Sequence, residues 1–409
     1  MTKDCGTKWG GVHVSEKQKA ADEAVTVKPV QSDAGREDFL NVPYELNRGD
    51  EGWHPPLRFE RKDHLKGILS DPMLSDVRLF VAYRNGRPVG RVAAFQNRAF
   101  QEKHEPSQGH FGFFDVDPAD EMSARLLMNA AEDHLRALGC KEIGGPYNSW
   151  IYDEIGTLAS GFDTPNMVMM PHNATGLSDV LTEAGYEKEA KLLAYYVGLR
   201  DHYPRPPVVQ KLCKSVDDDP SLRIRQVNMA SFDEELQTAM AIFNDGWSVN
   251  WGHLDFPPEK VAHMGQSLKP ILTPDRFWFA EADGEPVAFV VMLPNVNEAI
   301  RDLDGKLLPF GWAKLLWRLK VNTPKTSRMA LMGLKRSHHK SRAGVALICS
   351  LFEAAFEEGR KRGVEGCELS WVLEQNKDVR RLISLSGAEV YKTYDVFQKS
   401  LVPSEKAEA

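Results

Sequence analysis

The chain has 409 residues, 42% of them hydrophobic, nine tryptophans and a formal net charge of −7, enough apolar material for two packed domains. The acidic balance and the lack of a recognisable binding motif weigh against nucleic acid. Five cysteines at 5, 140, 213, 349 and 367 show no CxxC or CxxxC spacing, which argues against a metal ribbon or disulfide scaffold and for a reduced, cytoplasmic chain.

Residues 1–37 are polar, lack the apolar core of a signal peptide and are expected to be disordered, as is the tail 403–409. No apolar run approaches the ~20 residues that a transmembrane helix needs. The first strong signal is FVAYRNGRPVG (80–90), an apolar run, Asn-Gly, and a second apolar run. Asn-Gly tolerates the positive φ of a tight primed turn, so this predicts a β-hairpin. A helical pattern over 122–138 follows, then a short strand with an asparagine in EIGGPYN (142–148), then EAGYEKEAKLLAYYV (183–197), where a Gly precedes a closing strand. DHYPRPPVVQ (201–210) has three prolines in ten residues and reads as a linker.

The order then repeats. WFAEADGEPVA (278–288) is a second hairpin, and a helix over 342–362 leads to CELSWVLEQN (367–376) and LSGAEVYKTYDVF (385–397). Four matching elements in the same order imply two copies of one unit. The expected fold class is α/β (α+β), with domains at 38–200 and 211–402, each a mixed, largely antiparallel sheet flanked by helices.

This order of elements resembles the GNAT acyltransferase superfamily, here as a tandem pair over roughly 40–400. In that family the strand-to-helix turn after the hairpin binds the pyrophosphate of coenzyme A through Arg/Gln-x-x-Gly-x-Gly/Ala. Ser341-Arg342-Ala343-Gly344-Val345-Ala346 matches the Gly-x-Ala half and departs at the first position. The resemblance implies acyl-CoA as co-substrate, no metal, and a cofactor site at Leu334, Lys335, Arg336, Lys340, Arg342, Ala343, Gly344 and Val345.

The residues support that reading independently. From Gly305 to Phe352 there are ten Lys or Arg and no Asp or Glu, so the rest of the chain carries −17 (−7 less +10). A helix start offers free N–H groups and the positive end of a dipole to an anion. Gly344 is expected to admit a phosphate close to the backbone, and Ser341 to cap the helix. The first copy's matching turn, FGFFDVDPADEMSARLL (111–127), places Asp115, Asp117, Asp120 and Glu121 there instead and would repel a diphosphate.

A GNAT reaction is direct attack of an amine on an acyl thioester, and it needs a base, a donor to the carbonyl oxygen and an acid for the thiolate. The resemblance puts the donor on the backbone near Met332–Lys335. Counting back from Gly387, the family's customary tyrosine acid falls on Ile383, so that acid is absent or Tyr391 or Tyr394 replaces it. Glu368 on the following strand is the candidate base, and Glu154 a further catalytic candidate. Two polar–aromatic stretches, 145–173 and 243–256, supply candidate substrate-binding residues: Asn148, Asp153, His172, Trp247, Asn250 and Trp251.

The segment 293–328 is long for a GNAT hairpin. Trp312, Leu315, Leu316 and Leu319 share a helical face bordered by cations, which suits the edge of an anionic membrane through 308–321, or the cap of an acyl-chain tunnel. GPYNSWIYDEIGTLASGFD, FNDGWSVNWG and SWVLEQN resemble a tandem GNAT-like subfamily that includes bacterial ceramide synthases. That resemblance implies transfer of a long acyl chain to a lipid amine of the sphingoid type, and the 308–321 face suits a peripheral place at the inner membrane surface. A non-catalytic acyl-CoA-binding scaffold and a tandem aminoacyl transferase are the other readings.

Overall fold

The computed structural model describes residues 24–200, 206–269 and 271–402. The first copy runs β1 (Val25–Pro29), α1 (Asp33–Leu46), α2 (Arg58–Leu69), β2 (Leu74–Arg84), β3 (Arg87–Asn97), α3 (Arg98–Lys103), β4 (Gln108–Val116), α4 (Glu121–Ala137), β5 (Glu142–Gly145), β6 (Thr157–Ser160), α5 (Leu177–Glu183) and β7 (Glu187–Gly198). The second runs α6 (Pro207–Asp217), β8 (Leu222–Gln226), α7 (Phe232–Trp247), α8 (Pro258–Leu268), β9 (Phe277–Ala282), β10 (Glu285–Pro294), α9 (Val296–Ile300), α10 (Gly311–Lys320), β11 (Thr326–Leu334), α11 (Arg342–Lys361), β12 (Gly366–Leu373), α12 (Lys377–Leu385) and β13 (Glu389–Ser400).

Local chemistry made these elements legible. Both hairpins turn on residues with positive φ, Asn85 and Gly86 in one and Asp283 and Gly284 in the other. Helix α11 starts where Ser341 Oγ accepts the Gly344 N–H at 2.9 Å, and it buries Ile348, Leu351, Phe352, Ala355 and Phe356 against the sheet. Period-2 alternation sends Ala82, Val92 and Ala94 to the α4 face and Val81, Ala93 and Phe95 to the opposite face.

Two expectations are corrected. Disorder was expected over 1–37, but Val25–Pro29 is an edge strand antiparallel to β2 and Ser32 caps α1; residues 1–23 lie outside the described residues. The linker was expected to run to Gln210, but Pro207 stands at the first turn of α6, where a missing N–H costs nothing; 201–205 lie outside the described residues. The tail 403–409 also lies outside them.

The sheet was not legible. All thirteen strands form one sheet in the order β1-β2-β3-β4-β5-β13-β7-β12-β11-β10-β9-β8, with β6 pairing β13. The two copies exchange their last strands: β13 of the second lies between β5 and β7, and β7 of the first lies between β13 and β12. Helices cover both faces. In the second half α6, α11 and α12 pack on one face and α7 and α8 on the other.

Candidate active site

The second copy's sheet contains a fork. Strands β11 and β12 pair in parallel from Thr326↔Gly366 to Met329↔Leu369 and then part. At the same point Ala330 is skipped in the β10 ladder, because Val291 opposes Leu331 while Met292 opposes Met329. Such a bulge releases one residue's backbone groups from the ladder. Strand β12 also leaves its register with β7 between Leu369 and Val372.

An apolar cavity of about 960 Å³, part of it open to solvent, fills the fork. Ala330, Leu331 and Met332 line one side and Trp371 and Val372 the other. Phe243, Trp247, Met264 and Leu268 from α7 and α8 roof it, and Trp247 donates its indole N–H to Met332 O at 2.9 Å. Ile383 also lines it.

A buried polar chain underlies the fork. The Glu368 carboxylate accepts hydrogen bonds from the Ser370 and Tyr391 hydroxyls. Arg328 Nε lies 3.6 Å from Glu368 and donates to Ser370 Oγ at 2.8 Å, while its Nη1 reaches the Val168 and Met169 carbonyls at 3.1 and 3.4 Å. Burial lowers the Arg328 value, with Glu368 opposing it, and burial followed by the Glu368 charge raises Tyr391. Glu368 itself is fully buried; Arg328 and Ser370 are the members of this chain that line the cavity. Lys392 donates to Thr164 O and Pro165 O at 2.7 and 3.0 Å, and burial pushes its ammonium down to about 8.

The turn before α11 follows β11 directly. Lys335 lies 3.7 Å from Glu285, and the Arg336 N–H is held by Asp245 at 2.7 Å. Gly344 N–H goes to Ser341 Oγ and Val345 N–H to Ser341 O, which leaves the N–H groups of Arg342 and Ala343 at the mouth of the turn. Gly344 also has a packing reason: a Cβ there would meet His338 O at 2.2 Å. In the first copy the matching acids are occupied, Asp120 with Arg84 at 2.6 Å and Asp115 with Arg91 at 2.7 Å.

A second cavity, about 1090 Å³, lies where β4 and β5 part in the first copy. Three carboxylates (Glu60, Asp115, Glu154) and two guanidiniums (Arg61, Arg91) line it, a balance of −1. His54 and His172 line it as well, and burial holds both below the ordinary histidine value. Met169 is the one described residue that lines both cavities.

The expected residues divide accordingly. Asn148, His172 and Glu154 line the polar cavity, and Trp247 the apolar one. Glu154 is tied to Arg61 at 2.9 Å and to Asn148 at 2.9 Å. Burial alone would raise it, but Arg61, His64 and Asn148 hold it below the usual carboxylate range, which makes it a fixed anion and corrects its catalytic assignment. Tyr394 is corrected too: its hydroxyl is buried without a partner and it lines neither cavity. Asp153 sits 3.7 Å from His64, Trp251 donates to Glu189 at 3.0 Å, and neither they nor Asn250 lines a cavity.

Sequence reasoning missed Arg328, Ser370 and Met169. Ser370 had a signal, since it shares a strand face with Glu368 two residues away. The two polar–aromatic stretches do meet: the Tyr152 hydroxyl lies 2.5 Å from His253 Nδ1, and His253 Nε2 lies 3.0 Å from Asp255.

No family model matches the chain. Over 381 residues it is 40% identical to the bacterial ceramide synthase of Caulobacter vibrioides (strain NA1000 / CB15N), covering 92% of this chain and 98% of that one. Over 365 residues it is 38% identical to protein YghO of Escherichia coli (strain K12), covering 89% and 92%. Among solved structures, a tandem GNAT protein from the clavulanic acid biosynthesis pathway aligns with a TM-score of 0.56 at 12% identity, over 93% of this chain and 100% of that one. A GCN5-related N-acetyltransferase from Sphaerobacter thermophilus aligns with a TM-score of 0.52 at 13% identity, over 93% and 96%. The fold is that of tandem GNAT proteins.

Proposed function

The chain belongs to the family of the Caulobacter bacterial ceramide synthase and Escherichia coli YghO, and from that premise we propose a CoA-dependent N-acyltransferase that moves a long acyl chain to a lipid amine of the sphingoid type. The β11–β12 fork supports this most: it combines a free strand edge, an apolar cavity and a cationic helix start within one turn of chain.

In this reading the phosphates of acyl-CoA meet the Arg342 and Ala343 N–H groups, with Lys335, Arg336, Lys340 and Arg342 adding charge. The acyl chain lies under α7 and α8 among Phe243, Met264 and Leu268. The backbone at the Ala330 bulge donates to the thioester carbonyl. The acceptor's head occupies the polar cavity beside Asn148 and His172, where the −1 lining suits an ammonium. Its nitrogen attacks the thioester carbon, the C–N bond forms, and the C–S bond breaks. The ammonium sheds one proton before attack, and the nitrogen's second proton passes through the Ser370 hydroxyl to the CoA thiolate; the cation-flanked helix α10 rests on the inner membrane surface, which supplies the lipid amine.

The test is release of CoA thiol from palmitoyl-CoA and acetyl-CoA with sphinganine and a panel of primary amines, with the product identified by mass. Equal amounts of thiol and N-acyl product, faster with palmitoyl-CoA, are expected. Folded protein that releases no thiol with any amine defeats the reading. If palmitoyl-CoA still raises its unfolding midpoint, the non-catalytic acyl-CoA-binding reading favoured by Ile383 takes its place.

A further inference from the structure

His172 Nε2 lies 2.7 Å from the Asp50 carboxylate. An ionised carboxylate only accepts, so Nε2 carries the proton and Nδ1 keeps its lone pair. That Nδ1 is buried and has no hydrogen-bond partner, in a side chain only 1% exposed, on a residue that lines the polar cavity. The ring's place is built in: a Cβ at Gly52 would lie 2.8 Å from His172 Cε1, so this glycine admits the imidazole.

The backbone that carries His172 runs beside the wall of the fork. Met170 Sδ lies 3.5 Å from Ser370 Oγ. His172 is two residues further on, at most about 7 Å away between Cα atoms. Met169, in the same segment, lines both cavities.

We propose that His172, oriented by Asp50, is the general base that takes the proton from the acceptor's ammonium, a role beyond substrate contact and one that rests on the acyltransferase reading above. The ammonium gives one proton to His172 Nδ1. The freed nitrogen lone pair forms the C–N bond as the C–S bond breaks, and the nitrogen's second proton leaves with the CoA thiolate. Imidazolium then returns its proton to solvent. The groups facing His172 are Asp50 from the loop after α1, Lys392 from β13 and His54 across the cavity. Burial and Lys392 favour the neutral ring, against the pull of Asp50, so it is ready to accept a proton near neutral pH.

The experiment measures thiol release by the full chain from palmitoyl-CoA and sphinganine between pH 5 and 9. In wild type kcat/KM rises with pH along a limb lying below the ordinary histidine value of 6.5. His172→Gln is expected to lose about 10²–10⁴-fold in kcat, to lose that limb, and to keep the midpoint shift given by palmitoyl-CoA. Added 4-methylimidazole should restore part of the rate to His172→Ala, and Asp50→Asn, a second variant should His172→Gln not fold, should lose rate and limb as well. A His172→Gln enzyme within about threefold of wild type, with the limb intact, overturns this inference and leaves the acyltransferase reading standing. Wild type that binds palmitoyl-CoA and releases no thiol overturns both.

Discussion

Arg328 and Glu368 are register partners in the parallel ladder of β11 and β12, one rung before Met329↔Leu369, where the two strands part, and their charged groups lie 3.6 Å apart in the interior. Both are almost fully buried, and the pair is completed by Ser370, Tyr391 and two carbonyls of the first copy. It therefore ties the fork to the segment whose Met169 lines both cavities.

Removing one partner leaves the other charge buried and uncompensated. Glu368→Met or Arg328→Met should each cost about 3–5 kcal/mol of stability, and the two together should cost clearly less than the sum. Denaturant unfolding of the three variants checks this. Additive losses would mean that the pair is not coupled.

Gly344 faces His338 O so closely that any side chain must move the turn. Gly344→Ala should weaken palmitoyl-CoA binding by displacing the helix start, and Gly344→Glu should abolish it by adding an anion. A ligand at 100 times its Kd stabilises by about 2.7 kcal/mol, so the readout is the unfolding-midpoint shift. An unchanged shift in Gly344→Glu would remove the turn as the phosphate site.

Helix α10 has no buried residue, and with its flanks it exposes Leu308, Phe310, Trp312, Leu316, Trp317 and Val321. It lines neither cavity, so the expected tunnel cap is corrected, while the apolar face remains uncovered among the described residues. Lys314 and Arg318 pair with Asp302 at its edge. Phe310→Ser, Trp312→Ser and Trp317→Ser together should reduce sedimentation with phosphatidylserine vesicles at least tenfold, about 1.4 kcal/mol, with thiol release from short, soluble amines unchanged. Equal sedimentation would exclude this face as the contact.

His110 packs among Phe95, Phe100 and Tyr147, with its Nδ1 unpartnered, and burial pushes it down to about 3. The folded value is depressed, so its contribution is complete above the ordinary 6.5 and is lost as pH falls from there toward 3. From pH 7 to pH 5 this amounts to about 2 kcal/mol. His110→Phe should lose about that much less stability than wild type over the same interval, by urea unfolding. Parallel losses would place the acid sensitivity elsewhere.

What the sequence by itself determined was local. Asn85-Gly86 and Asp283-Gly284 set both hairpins through positive φ, Ser341 set the start of α11 through its cap, and the repeat of such signals gave two copies of one unit. The basic turn and the acidic turn were also readable, because each depends on neighbours in the chain. The exchange of β7 and β13 was not, since both strands suit either partner and only the closed sheet selects between them. The same holds for Arg328 with Glu368, 40 residues apart, and Asp50 with His172, 122 apart. Such pairs take their meaning from the low-dielectric interior that the assembled sheet creates, and no spacing along the chain encodes it.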